Sequence, residues 1–389
     1  MGVLERGVAL STVKALVDKI SLFYRELAKP FVGREEEALV ITLSLMTAEH
    51  VVLIGEPGTA KSALARRAAD LLQARFFKYL LTRYTEPDEL LGPLDIAALK
   101  KGKYVRITRD KLPEAEIAFL DEVFNASSAI LNTLLTLMNE RIIYDGYNEI
   151  PVPLWTLIGA SNAIPEEQEY QALYDRFLHR HFVKPVSEDK WSSLLEHAWR
   201  IEKEGYRAPA PVLTLEELKE INRAVLSVDV STVVQRLVKL YAVLEDQGLH
   251  LTDRRKGKAL KTIAAHSLLH GRTAAIEEDL VVLKYIAPRD YEEAEKVSVI
   301  LMEELFSREK LLEELREIEN NIREVKAYLL RTREFHPRLL EYLRGLEKAQ
   351  EKLKKIASSV TDDYVRMKAQ NLIVEIGVVI DDLKSRLAI

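Results

Sequence analysis

The residues best suited to chemistry lie in the loop that follows the apolar run 51–54. Backbone N–H groups of such a loop, and of the helix after it, can surround a phosphate group. Lys61 would reach the β- and γ-phosphates of a nucleoside triphosphate, and the Ser62 hydroxyl would bind Mg²⁺. The predicted nucleotide-binding loop consists of Gly55, Glu56, Pro57, Gly58, Thr59, Ala60, Lys61 and Ser62.

Ala60 stands where the phosphate-loop pattern usually has its last glycine. A methyl group is small enough to keep the loop if the backbone φ is negative, which is what we expect at this position. The alternative, a plain strand-to-helix turn that binds nothing, is disfavoured because strand, loop and helix occur together.

Two further apolar runs end in polar residues. The run 117–120 is followed by Asp121 and Glu122, and the run 155–160 is followed shortly by Asn162. Asp121 can hold Mg²⁺ through water, and Glu122 can orient and deprotonate the attacking water. Asn162 would lie beside the γ-phosphate and help to hold that water. Taken alone, the acidic pair could equally be a helix N-terminus, where carboxylates are favoured.

Four arginines are candidates for stabilising phosphate charge. Arg176 and Arg180 are four apart in a segment, 172–183, that we predict to be a helix, so they would share one face. Such an arginine can act on the γ-phosphate of a neighbouring subunit; the alternative is a pair of solvated or salt-bridged side chains.

Arg254 and Arg255 begin another predicted helix, which Thr252 or Asp253 can cap. An arginine there could swing onto the nucleotide when two domains close. The alternative is an ordinary pair of surface arginines.

The elements that position these residues form an alternation of apolar strands and helices. This alternation predicts an α/β fold in which a parallel sheet is sandwiched by helices, with ligands at the carboxyl ends of the strands. Two helices precede the first strand, and the first, over residues 9–29, can be capped by Ser11 or Thr12. Val32 and Gly33 lie at the corner between them, where an adenine ring could stack; an ordinary helix-to-helix corner is the alternative.

Two hairpins are predicted to project from this sheet. One covers residues around 100–111, and the other surrounds the turn dipeptide Asp145-Gly146. The first has a basic character that a nucleic-acid motor would use, although a solvated face explains it equally. Its basic residues are Lys100, Lys101, Lys103, Arg106, Arg109 and Lys111.

The second half of the chain is predicted to be helical. Prolines at 209 and 211 mark a boundary, and residues 212–286 read as a small all-helical lid domain. From residue 290 apolar residues recur at heptad spacing, with a break at 335–337 and a capping cluster at 358–363. We expect a first helix over 290–334 and a helical hairpin or three-helix bundle. The predicted domains are 1–208, 209–289 and 290–389.

Composition narrows the class of protein. The 389 residues contain no cysteine and no apolar run of about 18 residues, and the first ten residues lack a signal-peptide pattern. We expect no membrane span and a cytoplasmic protein. The net charge of −5 argues against a chain-wide nucleic-acid footprint. We expect no metal site built on histidine. We predict no two histidines four positions apart that share a metal ion with a third ligand, and we place His179 and His181 on opposite sides of a helix.

Several stretches together resemble the MoxR family of AAA+ ATPases, over roughly residues 10–290. The TDRR stretch is similar to the RavA subgroup. The stretches are GEPGTAKS at 55–62, LLGPL at 90–94, IAFLDE at 117–122, LNTLLTLMNER at 131–141, LIGASN at 157–162, ALYDRF at 172–177 and TDRRKGKAL at 252–260.

The resemblance implies roles for single residues. Lys61 and Ser62 match Walker A, and Ala60 then resembles a family variant of the loop. Asn162 matches sensor 1, Arg176 the arginine finger with Arg180 in reserve, and Arg254 sensor 2 with Arg255 in reserve. Walker B is matched by Asp121 and Glu122. The stretches around 92–110 and 141–152 match the helix-2 insert and the pre-sensor-1 hairpin.

The resemblance also implies partners and an activity. It implies Mg²⁺-dependent ATP hydrolysis in a homo-hexameric ring that matures or remodels protein clients together with a von Willebrand A-domain partner. The helical tail, which the resemblance does not cover, could dock a partner or substrate. A nucleic-acid-stimulated helix-2-insert motor and a scaffold that only binds nucleotide remain as alternatives; the intact Asp121 and Glu122 argue against the scaffold.

Overall fold

The fold was obtained as a computed structural model that describes residues 2–145, 148–205, 208–331, 338–359 and 363–387. The chain divides into two compact units, residues 1–298 and 299–389. Three predicted features fall wholly or partly outside the described residues: Gly146 of the turn dipeptide, the break at 335–337 and the centre of the 358–363 cluster.

The first unit is built on a parallel five-stranded sheet with the order β2-β3-β6-β1-β7, and a separate antiparallel pair, β4-β5. The three central strands are apolar and almost completely buried, as expected for strands covered on both faces. The predicted α/β fold with helices around a parallel sheet is therefore confirmed. The strands are β1 Val51–Ile54, β2 Phe76–Leu80, β3 Ile117–Asp121, β4 Ile142–Asp145, β5 Asn148–Pro151, β6 Thr156–Ser161 and β7 His179–Phe182.

Helices surround the sheet and then form the lid. Short 3₁₀ segments lie at Leu112–Glu114, Val123–Asn125, Glu188–Lys190 and Glu277–Tyr285. The α-helices of this part are α1 Gly2–Ala28, α2 Glu35–Thr47, α3 Lys61–Leu71, α4 Pro87–Leu91, α5 Ile96–Leu99, α6 Ser128–Glu140, α7 Gln168–Arg176, α8 Trp191–Glu204, α9 Leu215–Leu226, α10 Ser231–Asp246, α11 Asp253–Leu269 and α12 Tyr291–Leu301.

The start predicted for the first helix is wrong. Helix α1 begins at Gly2, so Ser11 and Thr12 lie inside the helix and not at its start. The reason is that no proline interrupts the chain before Pro30, and a serine or threonine acts as a cap only where helical hydrogen bonding stops.

The helix predicted over 172–183 is also wrong beyond Arg176. Residues His179–Phe182 form β7, which pairs in parallel with β1 at the edge of the sheet. His179 is fully buried, and its ring nitrogens lie 2.9 Å from the hydroxyls of Ser44 and of Thr262. The apolar pattern did not predict this strand because its residues are mostly polar, and their side chains are buried against polar partners.

The first of the two predicted hairpins is not formed. Between α4 and the next 3₁₀ segment the described residues show only one antiparallel bridge, Leu94 with Arg106, and the short helix α5. The Asp95 carboxylate starts α5 by accepting hydrogen bonds from the N–H groups of Ala97 and Ala98 at 2.8 and 3.1 Å. The second hairpin is confirmed in its strands, β4 and β5.

The lid region is helical as predicted, but its last segment, Glu277–Tyr285, is a 3₁₀-helix. Thr252 caps α11 by accepting a hydrogen bond from the N–H of Arg255. Near the end of α11, His266 and His270 are four apart and lie with Asp279 within 4.8 Å, so the expectation that no such trio exists is wrong. The Asp279 carboxylate already accepts hydrogen bonds from His266, Arg272 and the N–H of Ile276, which makes the trio part of a structural network.

The second unit is a three-helix bundle, one of the two forms expected. Its helices are α13 Ser307–Arg331, α14 Arg338–Ser359 and α15 Asp363–Leu387; the helix predicted over 290–334 is divided by a π-helical turn at Met302–Phe306. Ion pairs Glu319–Lys368 and Lys326–Glu375 show that α13 and α15 run parallel. The predicted heptad positions form the buried core, including Leu315, Ile322, Leu353, Ile376 and Leu383.

No helix in the described part of the chain has both the length and the apolar character needed to cross a bilayer.

Candidate functional site

The carboxyl edge of the sheet gathers the polar residues that follow the central strands. Strand β6 lies between β1 and β3 in parallel register, with Ile54 opposite Ser161 and Leu120 opposite Gly159. The loop after β1, the carboxylates after β3 and Asn162 after β6 therefore meet at one edge. This is the position at which open α/β sheets bind ligands.

The backbone of the loop after β1 explains its small residues. A Cβ atom at Gly55 would lie 2.6 Å from the carbonyl oxygen of Val183, so only glycine fits there. Gly58 has φ +82°, a left-handed conformation that favours glycine, although a Cβ atom there would meet nothing within 4 Å. Ala60 has φ +65°, which corrects the expectation of a negative φ. The chain must reverse sharply into α3, and Ala60 takes the left-handed conformation that the usual glycine would take without strain.

Lys61 presents a buried ammonium group inside this loop. Its Nζ donates hydrogen bonds to the carbonyl oxygens of Gly55 and Glu56, the second at 2.9 Å. Burial lowers the pKa of Lys61, while the carboxylates of Asp121 and Glu122 act to raise it. A cation that is poorly hydrated and held by neutral carbonyls is well suited to bind an anionic oxygen.

Glu122 and Asn162 are in direct contact. The Asn162 amide donates to one carboxylate oxygen of Glu122 at 2.5 Å, and the Asn125 amide lies 3.4 Å from the other. Burial first, and then the charge of Asp121, raise the pKa of Glu122 above its ordinary value, while a hydrogen bond from the backbone of Asn162 and the charge of Lys61 act to lower it. A carboxylate with a raised pKa that lines a cavity is suited to accept a proton.

That cavity has a volume of about 300 Å³. Glu122, Asn125 and Asn162 line it, and the ion pair between Arg83 and Glu167, at 3.1 Å, lies at its wall. The space is large enough for a water molecule beside the Glu122 carboxylate.

The donor set fits ATP with Mg²⁺. Ser62 lies in the first turn of α3, which follows β1. Asp121 ends β3, which is separated from β1 by β6 alone, so both residues offer oxygen atoms at the same edge of the sheet. Hydroxyl and carboxylate oxygens are the ligands that Mg²⁺ prefers, and the first N–H groups of α3 favour phosphate.

Val32 and Gly33 lie at a corner that also carries a cavity. Val32 lines a space of about 490 Å³ together with Tyr24 and Arg25 of α1 and His197 of α8. Gly33 has φ +70° and faces Val186. Their role in contacting adenine stays a prediction.

Arg176 and Arg254 lie at the opposite, amino edge of the sheet. Arg176 ends α7, three residues before β7 begins at His179. The N–H of His179 donates to the carbonyl of His50, which directly precedes β1, so Arg176 lies near the amino ends of both strands. Arg254 donates to the side chain of Asn139 at 3.3 Å, next to the end of α6. The two guanidinium groups are close enough that Arg254, after burial, helps to lower the pKa of Arg176.

This position corrects the expectation that Arg254 swings onto the nucleotide of its own chain. A strand of four residues spans about 13 Å, so the loop holding Lys61 and the two arginines are separated by at least the length of β1. Domain closure would have to move α11 past the whole sheet.

Arg180 and Arg255 differ from this pair because both are buried. Arg180 lies in β7 with its guanidinium 4.0 Å from the centre of the Tyr174 ring. Arg255 donates to the carbonyl oxygens of Phe177, Leu178 and Ile286 at 2.6–3.1 Å. Both side chains hold the lid and the sheet together. The structure therefore favours neither Arg180 as the arginine finger nor Arg255 as sensor 2.

Tyr291 is a residue near the site that the sequence did not indicate. Its hydroxyl donates to the carbonyl oxygen of Ile54, the residue before Gly55, at 3.3 Å, and its ring packs on Phe182. The two residues are 237 positions apart, and no local pattern joins them.

Comparisons with known proteins agree with this geometry. The family described as the MoxR domain in the MoxR-vWA-beta-propeller ternary systems matches residues 18–223, and the family described as an AAA lid domain matches residues 232–301. A protein of uncharacterised function from Methanocaldococcus jannaschii is 42% identical over 276 residues, which cover 70% of this chain and 72% of that protein.

More distant similarities point the same way. Chaperone MoxR1 of Mycobacterium tuberculosis is 27% identical over 157 residues, covering 39% of this chain and 41% of that one. A solved structure from Cytophaga hutchinsonii, described as a candidate ATPase, has a TM-score of 0.64 at 20% identity, covering 77% of this chain and 98% of that one. The last similarity concerns the fold alone.

Proposed function

Since the chain belongs to the family of MoxR domains found in MoxR-vWA-beta-propeller ternary systems, we propose that it hydrolyses ATP at the contact between copies of itself and uses the energy to remodel or mature protein complexes. The observation that carries this proposal is the division of the site. The phosphate-binding and proton-accepting groups lie at one edge of the sheet, and Arg176 and Arg254 lie at the other.

At the carboxyl edge, the chain's own groups bind and orient the triphosphate. Backbone N–H groups of the loop and the Lys61 ammonium bind the phosphate oxygens. Ser62 and Asp121 would hold Mg²⁺, which neutralises phosphate charge when bound. Glu122 accepts the proton of the attacking water, and Asn162 holds the Glu122 carboxylate in place.

The arginines supply what this edge lacks. A guanidinium group on the γ-phosphate can raise the rate of hydrolysis by roughly 10³–10⁵-fold. Because Arg176 and Arg254 of the same chain are about a strand length away, these arginines act on the nucleotide of the next copy. Repetition of this contact would close a ring, for which we propose six copies.

The remodelling role rests on the family. A relative named as a chaperone, and a family named for MoxR-vWA systems, support a protein client and a von Willebrand A-domain partner. The similarity of the TDRR stretch at 252–255 to the RavA subgroup is kept as part of the same proposal.

Mixing two inactive variants tests the division of the site. Lys61→Ala should abolish ATP binding, and Arg176→Ala should abolish hydrolysis but leave ATP binding unchanged. In a mixture, an Arg176→Ala copy that holds ATP can receive Arg176 from a Lys61→Ala neighbour, so phosphate release should recover to at least ten times the rate of either variant alone. A mixture of two preparations of Lys61→Ala is the control, and a mixture without recovery contradicts an arginine supplied by a neighbour.

A nucleic-acid motor is the second candidate, favoured by the exposed side chains of Lys100, Lys101 and Lys103 after α5. Three of the predicted basic residues there are engaged: Arg106 pairs with Asp88, Arg109 pairs with Asp110 at 3.7 Å, and Lys111 donates to the carbonyl of Glu89. ATP hydrolysis that rises with DNA or RNA and falls steeply with salt would favour the motor over the remodelling role.

A further inference from the structure

Helix α8, Trp191–Glu204, carries an apolar face that stays largely exposed in the described part of the chain, although the Lys203 ammonium lies 5.3 Å from the centre of the Trp199 ring. Trp191, Leu195 and Trp199 are 52%, 69% and 63% exposed, and no α8 residue is buried. At 3.6 residues per turn, positions 191, 194, 195, 198 and 199 fall on one side of the helix. A contiguous patch with two tryptophans is typical of a surface that another macromolecule covers.

Helix α8 lies beside the edge of the sheet that holds the phosphate loop. Strand β7 ends opposite Ile54, and the next residue, Val183, packs against Gly55. Just before α8, Lys190 pairs with Glu35 at 3.5 Å. Within α8, His197 lines the cavity that Val32 also lines.

We infer that a second copy of this chain covers the apolar face of α8. This inference rests on the proposed function, in which Arg176 or Arg254 of another copy reaches the nucleotide at Lys61. That copy must stand against the carboxyl edge of the sheet, and α8 flanks this edge. One contact between copies therefore delivers the arginine and removes the two tryptophans from water.

The charges of α8 argue against a membrane as the occupant. Three glutamates, one arginine and one lysine in α8 give a net charge of −1, as −3 + 2. Helices that lie on anionic membranes carry a basic polar face instead. A contact with a second copy needs no excess of positive charge.

A carboxylate placed on the apolar face should weaken the contact between copies. We expect Leu195→Glu to lower the ATPase rate per chain at least tenfold at low micromolar protein, with most of the rate recovered as the protein concentration rises. The matched control is Ser193→Glu, which adds the same charge on the opposite side of α8, about 160° away. Its rate should stay within twofold of the unchanged chain.

Tryptophan fluorescence provides a reading that needs no disrupted variant. The chain has three tryptophans, and Trp155 is already held in the fold by a hydrogen bond to the carbonyl of Leu45. With ATP bound, emission should shift to shorter wavelength as the protein concentration rises and α8 leaves water. The double variant Trp191→Phe, Trp199→Phe, which keeps only Trp155, should show no shift.

The outcomes separate this inference from the proposed function. If the ATPase rate of the unchanged chain is the same at every dilution, hydrolysis across copies is wrong. If that rate depends on concentration while Leu195→Glu behaves like Ser193→Glu, the proposed function stands and the role of α8 is overturned. Emission at short wavelength at every dilution would mean that the chain covers α8 itself, which also overturns the inference.

Discussion

The contact between Glu122 and Asn162 makes the pH dependence of hydrolysis predictable. Glu122 must be deprotonated to accept a proton, and its pKa is raised by burial and by Asp121, so the rate should fall as pH falls through that raised value. The backbone of Asn162 lowers the pKa of Glu122, and the side-chain amide of Asn162, which donates to the same carboxylate, also stabilises its charged form. Asn162→Ala should raise this pKa further and move the acid limb of kcat to higher pH.

The measurement is kcat against pH at saturating ATP. The pH at the midpoint of the acid limb is compared between the unchanged chain and Asn162→Ala, and the height of the plateau is not used. Asn125→Ala is the control, because its amide is 3.4 Å from the same carboxylate and should shift the midpoint less. An acid limb that stays at the same pH in Asn162→Ala would show that the rate is not governed by the ionisation of Glu122.

Ala60 stores strain in the phosphate loop. A non-glycine residue at φ +65° destabilises the folded state by roughly 1–2 kcal/mol. Glycine would remove this strain, but its greater conformational freedom in the unfolded chain offsets part of the gain in stability. Ala60→Gly should therefore stabilise the nucleotide-free protein by about 1 kcal/mol in urea unfolding. Gly58→Ala, at φ +82° with open space around it, should destabilise by a similar amount. Equal stability of the two variants would contradict this account of the loop.

Among the helices, α11 begins with two arginines that have opposite tasks. Arg255 is 3% exposed and satisfies carbonyl groups of Phe177, Leu178 and Ile286. Arg255→Met would leave several buried carbonyls unpaired, at roughly 1–3 kcal/mol each, so we expect unfolding at clearly lower urea and a loss of about 3 kcal/mol or more. The expected cause is release of α11 from the segment that joins α7 to β7.

Arg254→Met is the matched control for this prediction. Arg254 makes one described side-chain hydrogen bond, to Asn139, so its loss should change stability by no more than about 0.5 kcal/mol while slowing ATP hydrolysis. Two variants with the same urea midpoint would contradict the assignment of Arg255 to structure and Arg254 to function.

On the scale of the whole molecule, two units with separate cores should unfold separately. Ile376 is completely buried in the three-helix core of residues 299–389. Ile376→Ala should cost that unit about 2–5 kcal/mol, lower one calorimetric transition and leave the other, together with ATP binding, unchanged. Val378→Ala, at a side chain 66% exposed, is the control. A single transition that moves as a whole in Ile376→Ala would show that the units unfold together.

Short stretches of sequence were sufficient for those parts of the molecule whose physics is local. The glycine loop, the carboxylates after β3 and the heptad spacing of the tail each lie within a few turns or one strand, so residue types and spacing indicate their structure directly. The parallel sheet followed from the alternation of apolar strands with helices. Ala60 shows the limit of such patterns, since a residue type does not state its own φ.

Tertiary structure alone decided which polar residues are free and which are committed. Strand β7 has the polar sequence HRHF, and it is a strand because Ser44 and Thr262, distant in sequence, satisfy His179. Likewise Arg176, Arg180, Arg254 and Arg255 are the same residue type, yet two are buried against carbonyls and two lie at the amino edge of the sheet. Burial and hydrogen-bond partners come from contacts across the whole chain, and these contacts exist only once the strands have taken their order.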